Sequence, residues 1–420
     1  MILLLNMKIY TPPPDKSITI RALLLGAAAI GRTVVRNPLR SRDTEAAMSC
    51  LKKLGVKTKV FKDRIEISGA GPAGFGPGPF RLDAGESGTL ARLLAGLLAG
   101  SGARAVITGR GTLRRRPMEP LAAALRAAGA DVRSARGRLP LKVNPVRPRG
   151  GTLKLSTASA QIKSALLLAG LGAAAPLSFG ESAPSRDHTE RLLGRMGARL
   201  RVSGRRSTVY PGALKGRTIN IPGDLSSAAF FIAAALLSGL ALKIKGVGLN
   251  PGRLGFVRTL RKMGARITVA QRIYAPEPAG DITVRPSALR AARVPARDIP
   301  SMIDEAPLLA LLAARARGAT VIRGAEELRK KESDRVQSTL ALLASLGAKA
   351  SYRNGTLTIP GGQEFKPLKT VETFKDHRVA MAAAAASVVC PGLKIKNPGC
   401  VDKSYPGFFR DFRRTFAGGR

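Results

Sequence analysis

Residues 51–69 read LKKLGVKTKVFKDRIEISG, a helical pattern stopped by a glycine and followed by two short strands around a polar turn. Gly55 stands where the helix must end, because glycine enters the left-handed C-terminal conformation without a side-chain clash. After it, apolar and polar residues alternate on either side of Lys62-Asp63, the pattern of a β-hairpin. The phrase returns as LRAAGADVRSARGRLPLKV, LGRMGARLRVSGRRSTVYPG, LRKMGARITVAQRIYAP and LASLGAKASYRNGTLTIPG, with marker glycines Gly129, Gly197, Gly264 and Gly347. Near-regular copies define a repeated supersecondary unit. A sixth copy is expected at the chain's end, with FFRDFRRTFAGG as its helix and no hairpin after it. Its missing strands are expected from the N-terminal MILLLNMKIY.

Six such units divide into two domains of three. The expected bounds are residues 13–222 for the first domain, with 1–12 and 223–420 forming a discontinuous second. The chain would cross near Ile221-Pro222-Gly223-Asp224 and at Thr11-Pro12-Pro13-Pro14, where proline rings enforce a stiff, extended segment. A length of 420 residues also exceeds one ordinary core.

With 45% hydrophobic and 23% charged residues the chain is globular rather than disordered. Aromatics are only 4% with no Trp, so Leu, Ala, Val and Ile must build the core, as in helix-rich α/β proteins. The longest apolar stretches, 228–237 and 379–389, fall short of the roughly 20 residues of a membrane span and read as buried helices. Cys50, Cys390 and Cys400 have no metal-ligand spacing and are odd in number, which points to a reducing, cytoplasmic compartment. The first residues lack a signal-peptide cleavage site, and either Met1 or Met7 serves as the start. The 70 Lys and Arg against 27 Asp and Glu leave +43, a surface that attracts nucleic acid, acidic membrane or small phosphorylated substrates. A cleft for a small anion accounts for only part of that excess.

Dense polar motifs open the first helix of each unit. They are Asp15-Lys16-Ser17, Gly85-Glu86-Ser87-Gly88-Thr89, Ser159-Ala160-Gln161, Gly223-Asp224-Leu225-Ser226-Ser227, Asp298-Ile299-Pro300-Ser301 and Asp376-His377-Arg378. Ser, Thr and Asp there are ordinary N-caps. Capping does not require cations, however, and Lys16, Arg21, Lys331 and Arg378 accompany these helix starts. Helix N-termini carry free N–H groups and partial positive charge, so several aimed at one point, with Lys and Arg added, form an anion trap.

Taken with DKSITIRALLLGA, GESGTLARLLAGLLA, ITGRGTLRRRPMEPL, STASAQIKSALLLAG, SRDHTERLLGRMGA, IPGDLSSAAFFIAAALLSG, DIPSMIDEAPLLALLAA, RGAEELRKKESDRV, KDHRVAMA and VDKSYPGFF, the chain resembles the 5-enolpyruvylshikimate-3-phosphate synthase family almost end to end. The resemblance implies an α/β (α+β) fold of two similar domains, each of three βαβαββ units, an inside-out α/β barrel with the active site in the cleft between them. It implies transfer of the enolpyruvyl group of phosphoenolpyruvate to the 5-hydroxyl of shikimate 3-phosphate, with phosphate released through a tetrahedral intermediate. No cofactor and no metal are expected, and the partners are the two small substrates, with no specific nucleic acid, no membrane and a monomeric enzyme.

Carried over residue by residue, the resemblance gives shikimate 3-phosphate to Lys16, Ser17, Arg21, Ser159, Ala160 (through its backbone), Gln161, Ser185, Arg186, Asp304 and Lys331. Phosphoenolpyruvate falls to Lys16, Gly88, Arg116, Gln161, Arg335, Arg378 and Lys403, with Arg92 at the rim. Lys16, Asp304, Glu332 and His377 form the catalytic set. Asp304 takes the proton of the attacking hydroxyl and Glu332 moves protons on and off the methylene carbon, while His377 stands between direct catalysis and merely orienting Arg378. His188 reads as structural, Asp304-Glu305 also fits an exposed acidic turn, and Glu332 also fits an ion pair with Lys and Arg on a solvated helix face. Glu86 stands where the family often has Asn, and Ala160 replaces a frequent Ser. Gly88 leaves space beside the phosphoenolpyruvate pocket, so glyphosate is expected to inhibit, and Leu93 behind it to weaken that sensitivity.

Two other readings compete with this one. A transferase acting on UDP-N-acetylglucosamine calls for an early Lys-Asn pair and a reactive Cys, but here the pair is Lys16-Ser17 and no cysteine lies between Cys50 and Cys390. A nucleic-acid-binding protein is prompted by the charge, yet interleaved aromatics, zinc spacings and basic tails are missing.

Overall fold

The computed structural model describes residues 7–71, 74–155 and 159–416. Outside them lie the first six residues of MILLLNMKIY, residues 156–158 of STASAQ and the end of the FFRDFRRTFAGG segment. Two compact units result: Pro14–Ile221 with Ala275–Glu277, the first, and Met1–Pro13 with Pro222–Tyr274 and Pro278–Arg420, the second.

Three four-stranded sheets belong to the first unit. In spatial order they are Thr218–Asn220, Arg32–Arg36, Arg64–Ser68 and Lys57–Val60; Phe80–Asp83, Ala105–Thr108, Arg138–Val143 and Val132–Ala135; and Gly151–Lys154, Leu177–Gly180, Arg206–Val209 and Leu200–Ser203. Each begins with a parallel pair, to which the hairpin adds antiparallel strands. The second unit repeats that order with Lys8–Tyr10, Leu242–Gly248, Ala279–Arg285 and Arg266–Ile273, then with Arg293–Val294, Thr320–Arg323, Thr356–Ile359 and Ser351–Arg353. For the sixth copy, the described residues show the parallel bridge Val371–Ile395 and the helix Phe408–Phe416.

Placement of the N-terminal strand corrects one expectation. Lys8–Tyr10 does not complete the sixth copy; it pairs in parallel with Leu242–Ile244 in the fourth sheet. Burial explains the choice: the Tyr10 ring stacks on Phe231 at 3.6 Å and its hydroxyl shares a 2.8 Å hydrogen bond with Tyr405. Thr218–Asn220 plays the matching role on Arg32–Arg36 of the first unit.

All five marker glycines adopt the left-handed conformation, with φ from 74° to 94°. The helices fall into two kinds. Lys16–Ala28, Gly88–Ser101 and Ala160–Gly170 of the first unit, and Leu225–Ser238, Ala306–Arg315 and His377–Ser387 of the second, are buried nearly all round and occupy the cores. Arg42–Lys53, Glu119–Ala127 and their counterparts bury only one face. The Gly88 and Ala160 helices run side by side because Gly96 has no side chain: a Cβ there would lie 2.2 Å from the Ala165 carbonyl oxygen. Gly100 meets Ala169 one turn on, so the two helices are parallel and their N-termini share one end. No helix among the described residues is long and apolar enough to cross a membrane.

Candidate active site

In the first unit, three capped helix starts converge. Asp15 accepts from the Ile18 amide at 2.8 Å, Ser87 from Leu90 at 3.3 Å and Ser159 from Ile162 at 3.4 Å. Arg21, one turn into its helix, is buried and donates to Thr189 Oγ1 (2.9 Å), Ser164 Oγ (3.1 Å) and the Ser17 carbonyl (3.0 Å). Ser164 in turn donates to the Ala160 carbonyl. Burial lowers the Arg21 guanidinium to about 10, with Asp15 opposing the fall, so it stays charged at neutral pH. The Lys16 ammonium lies 3.0 Å from the buried Asp43 carboxylate.

Around the second helix start, Gly88 sits between two guanidinium groups. A Cβ there would lie 2.5 Å from Arg116 Nη1 and 2.7 Å from Arg92 Nη1. The space expected beside Gly88 is thus taken by cations. Arg92, expected at the rim, is buried and bridges the Gly88 carbonyl (3.2 Å), Gln161 Oε1 (2.9 Å) and the Pro117 carbonyl (2.9 Å). Gln161 donates to Thr89 Oγ1 at 3.0 Å, which fixes the orientation of its amide. Glu86 turns to the Gly111-Thr112 backbone, where it accepts from the Thr112 amide at 3.3 Å. Ser185 donates to Glu181, and Arg186 lies close enough to Arg21 to lower its affinity for a proton.

The second unit centres on Arg335, which is 1% exposed and enclosed by three carboxylates. Its Nη2 donates to Glu332 at 2.7 Å, Nη1 to Asp304 at 3.1 Å and Nε to Asp376 at 3.1 Å. Burial alone would lower its proton affinity, but the Asp376, Glu332 and Asp304 carboxylates overcome that and hold it well above the usual arginine range. Nη1 also reaches the Ile303 carbonyl at 3.5 Å, so most of its five N–H donors are committed within the protein.

Asp376 is fully buried and does two tasks. Its Oδ1 accepts from the Arg378 amide at 2.9 Å, starting the His377–Ser387 helix, while Oδ2 accepts from Arg335 and from Ser333 Oγ at 3.0 Å. Arg378, 9% exposed, places Nη2 3.9 Å from Asp304 Oδ2 and lies over the Phe230 ring at 6.0 Å. His377 is buried, its Nδ1 3.8 Å from Asp376 Oδ1. Lys331 precedes Glu332 in sequence, and buried Lys403 ends the Pro398–Lys403 turn that packs on the His377 helix. Ser226 donates to buried Glu305 at 2.5 Å, which ties two helix starts of this unit together.

Sequence reasoning missed Asp43 and the structural weight of Asp376; nothing in their spacing distinguishes either from a capping or surface carboxylate. His188, read as structural, is 2% exposed with Nδ1 2.8 Å from Glu277. A cavity of about 280 Å³ in the first unit lies instead at the C-terminal ends of the same helices, beside Ala28, Gly100 and Leu171.

Repeated βαβαββ units whose core helix starts carry Lys, Arg and paired carboxylates define an enolpyruvyl-transferase class of fold. An enolpyruvyl transferase from Streptomyces tendae, NikO, shares that fold at a TM-score of 0.75 with 18% identity, over 98% of this chain and 95% of the other. The family model for EPSP synthase (3-phosphoshikimate 1-carboxyvinyltransferase) matches residues 5–412, and the chain belongs to that family. It is 44% identical over 406 residues to the 3-phosphoshikimate 1-carboxyvinyltransferase of Desulforudis audaxviator (94% of each chain) and 42% identical over 408 to that of Endomicrobium trichonymphae (95% and 94%). The EPSP synthase structure from Acinetobacter baumannii superposes at a TM-score of 0.84, 35% identical, covering 98% of this chain and 96% of that one.

Proposed function

We propose that this chain transfers the enolpyruvyl group of phosphoenolpyruvate to the 5-hydroxyl of shikimate 3-phosphate, using residues of the two groups described above. The observation that carries the reading is the Arg335 cluster: one buried guanidinium holds Asp304 and Glu332 in fixed positions with Arg378 beside them. Two carboxylates so held suit a reaction needing two separate proton transfers.

In the first step the 5-hydroxyl oxygen bonds to C2 of phosphoenolpyruvate, its proton passing to Asp304, while Glu332, entering the step in its acid form, delivers its proton to the methylene carbon and is left as the carboxylate. In the second, Glu332 takes a proton back from that methyl group as the bond from C2 to the phosphate oxygen breaks. Phosphate then leaves with the electron pair and the proton held by Asp304. Lys16, Arg116, Arg378 and Lys403 offset the charge on the phosphoenolpyruvate phosphate and carboxylate. Lys16, Arg21, Ser159, Gln161, Ser185, Arg186 and Lys331 hold the acceptor. The protein's part is to bring two polyanions together and stabilise charge on the leaving phosphate. One chain carries every residue named here, which suits a monomer, and three free cysteines suit the cytoplasm.

Phosphate release tests this directly. Shikimate 3-phosphate with phosphoenolpyruvate should yield phosphate, and Lys16→Met and Glu332→Ala should each slow it at least about 100-fold. Equal release with UDP-N-acetylglucosamine as acceptor, or variants as fast as the parent, would overturn the assignment.

A further inference from the structure

Against the Ser185-Arg186 turn assigned to the acceptor lies a buried charge cluster that none of the expected roles uses. Lys163, in the Ala160–Gly170 helix, places Nζ 2.9 Å from Glu181 Oε2, 2.7 Å from Glu190 Oε1 and 3.3 Å from the Ser185 carbonyl. Ser185 Oγ donates to the other oxygen of Glu181. The three charged residues are 3%, 9% and 8% exposed.

One ammonium thus grips both ends and the middle of the segment 181–190, ESAPSRDHTE. Glu181 follows the strand Leu177–Gly180 and Glu190 lies in the first turn of the helix His188–Arg195, so Ser185 and Arg186 are suspended between two fixed carboxylates. The same helix carries Thr189, which accepts from Arg21 and donates to Ser164. Burying such a cluster is costly, and well-packed apolar side chains often replace one without loss of stability. A role in shaping the turn explains its presence better than a contribution to the core.

We propose that Lys163, held by Glu181 and Glu190, is a positioning residue that sets the Ser185-Arg186 turn and thereby the affinity for shikimate 3-phosphate but not for phosphoenolpyruvate. This rests on the reading above that Ser185 and Arg186 touch the acceptor. In support, burial alone would lower the Lys163 ammonium, but the Glu190 and Glu181 carboxylates reverse this and raise it, so the lysine keeps its charge at neutral pH. Burial also pushes the Glu190 carboxyl up against the pull of Lys163.

Glu181→Gln keeps the shape of the cluster and removes one charge, so it is the variant to measure, with Lys163→Met as the harsher companion. Glu181→Gln should raise KM for shikimate 3-phosphate about tenfold, roughly 1.4 kcal/mol, with KM for phosphoenolpyruvate and kcat within about twofold. The double variant with Ser185→Ala should lose no more than the worse single one, because both act through one turn. Equal rises in both KM values, or a lower Tm with unchanged KM, overturn the proposal as a purely structural effect. So does a Ser185→Ala variant that raises the acceptor KM while Glu181→Gln does not. If Ser185→Ala and Arg186→Ala both leave the acceptor KM unchanged, the turn is no acceptor site, and the underlying reading fails together with the proposal.

Discussion

Replacing Asp376 by Asn separates its two tasks. The asparagine side chain can still cap the His377–Ser387 helix, because its oxygen can accept from the Arg378 amide as Asp376 Oδ1 does at 2.9 Å. An NH2 group then faces Arg335 Nε and Ser333 Oγ, where the carboxylate now accepts at 3.1 and 3.0 Å. Breaking a buried ion pair by removing one partner costs about 3–5 kcal/mol. Arg335 keeps Asp304 and Glu332, so the loss falls short of that range, at about 2–3 kcal/mol, the size of one charged hydrogen bond at about 1.5–3 kcal/mol. At about 2–4 °C per kcal/mol, Tm should fall by about 4–12 °C in scanning calorimetry. Asp376→Ala removes the cap as well and should lose about 1 kcal/mol more. Because Arg335 also aims Asp304 and Glu332, kcat of Asp376→Asn should fall at least about tenfold in the folded protein. A Tm within 2 °C of the parent, taking about 2–4 °C per kcal/mol, and an unchanged kcat would refute the view that Asp376 organises this cluster.

Other substitutions probe the first unit and the Tyr10 strand. Gly88→Ala puts a methyl group into the guanidinium groups of Arg116 and Arg92, 2.5 and 2.7 Å away, and should raise KM for phosphoenolpyruvate at least about tenfold without changing the circular dichroism spectrum. Asp43→Asn frees the Lys16 ammonium from its 3.0 Å partner, and kinetics should show higher KM for both substrates by about three- to tenfold, since Lys16 is assigned to both. Tyr10 and Tyr405 are raised above the ordinary tyrosine value of 10.0, chiefly by burial. The unfolded chain therefore releases those protons first, so the stability of the pair is intact below about pH 10 and is lost as pH climbs beyond it. Spectrophotometric titration should find two of the five tyrosines protonated well past that point until the chain unfolds; all five titrating together would contradict the buried pair.

The repeat was legible because its signals are local. Gly55, Gly129, Gly197, Gly264 and Gly347 each mark a helix end that needs positive φ, and the alternation after each is enough to specify a hairpin. The pairing partners of two short strands were not legible: Lys8–Tyr10 and Thr218–Asn220 are three residues each, too short for any periodicity, and their partners are distant in sequence. The cations of the candidate site stood out at helix starts, where capping alone does not call for them. Their partners did not. Asp43, Asp376, Glu181 and Glu190 look like surface or capping acids in the sequence, and only folding shows that each is buried against a cation.

Central to all of this is that the cluster around Arg335 supplies the two carboxylates, Asp304 and Glu332, that the transfer uses. A crystal structure with shikimate 3-phosphate and an unreactive phosphoenolpyruvate analogue tests it most directly. Asp304, Glu332 and Arg378 should lie within hydrogen-bond reach of the bound ligands. Ligands bound with the Arg335 cluster remote from both would contradict it.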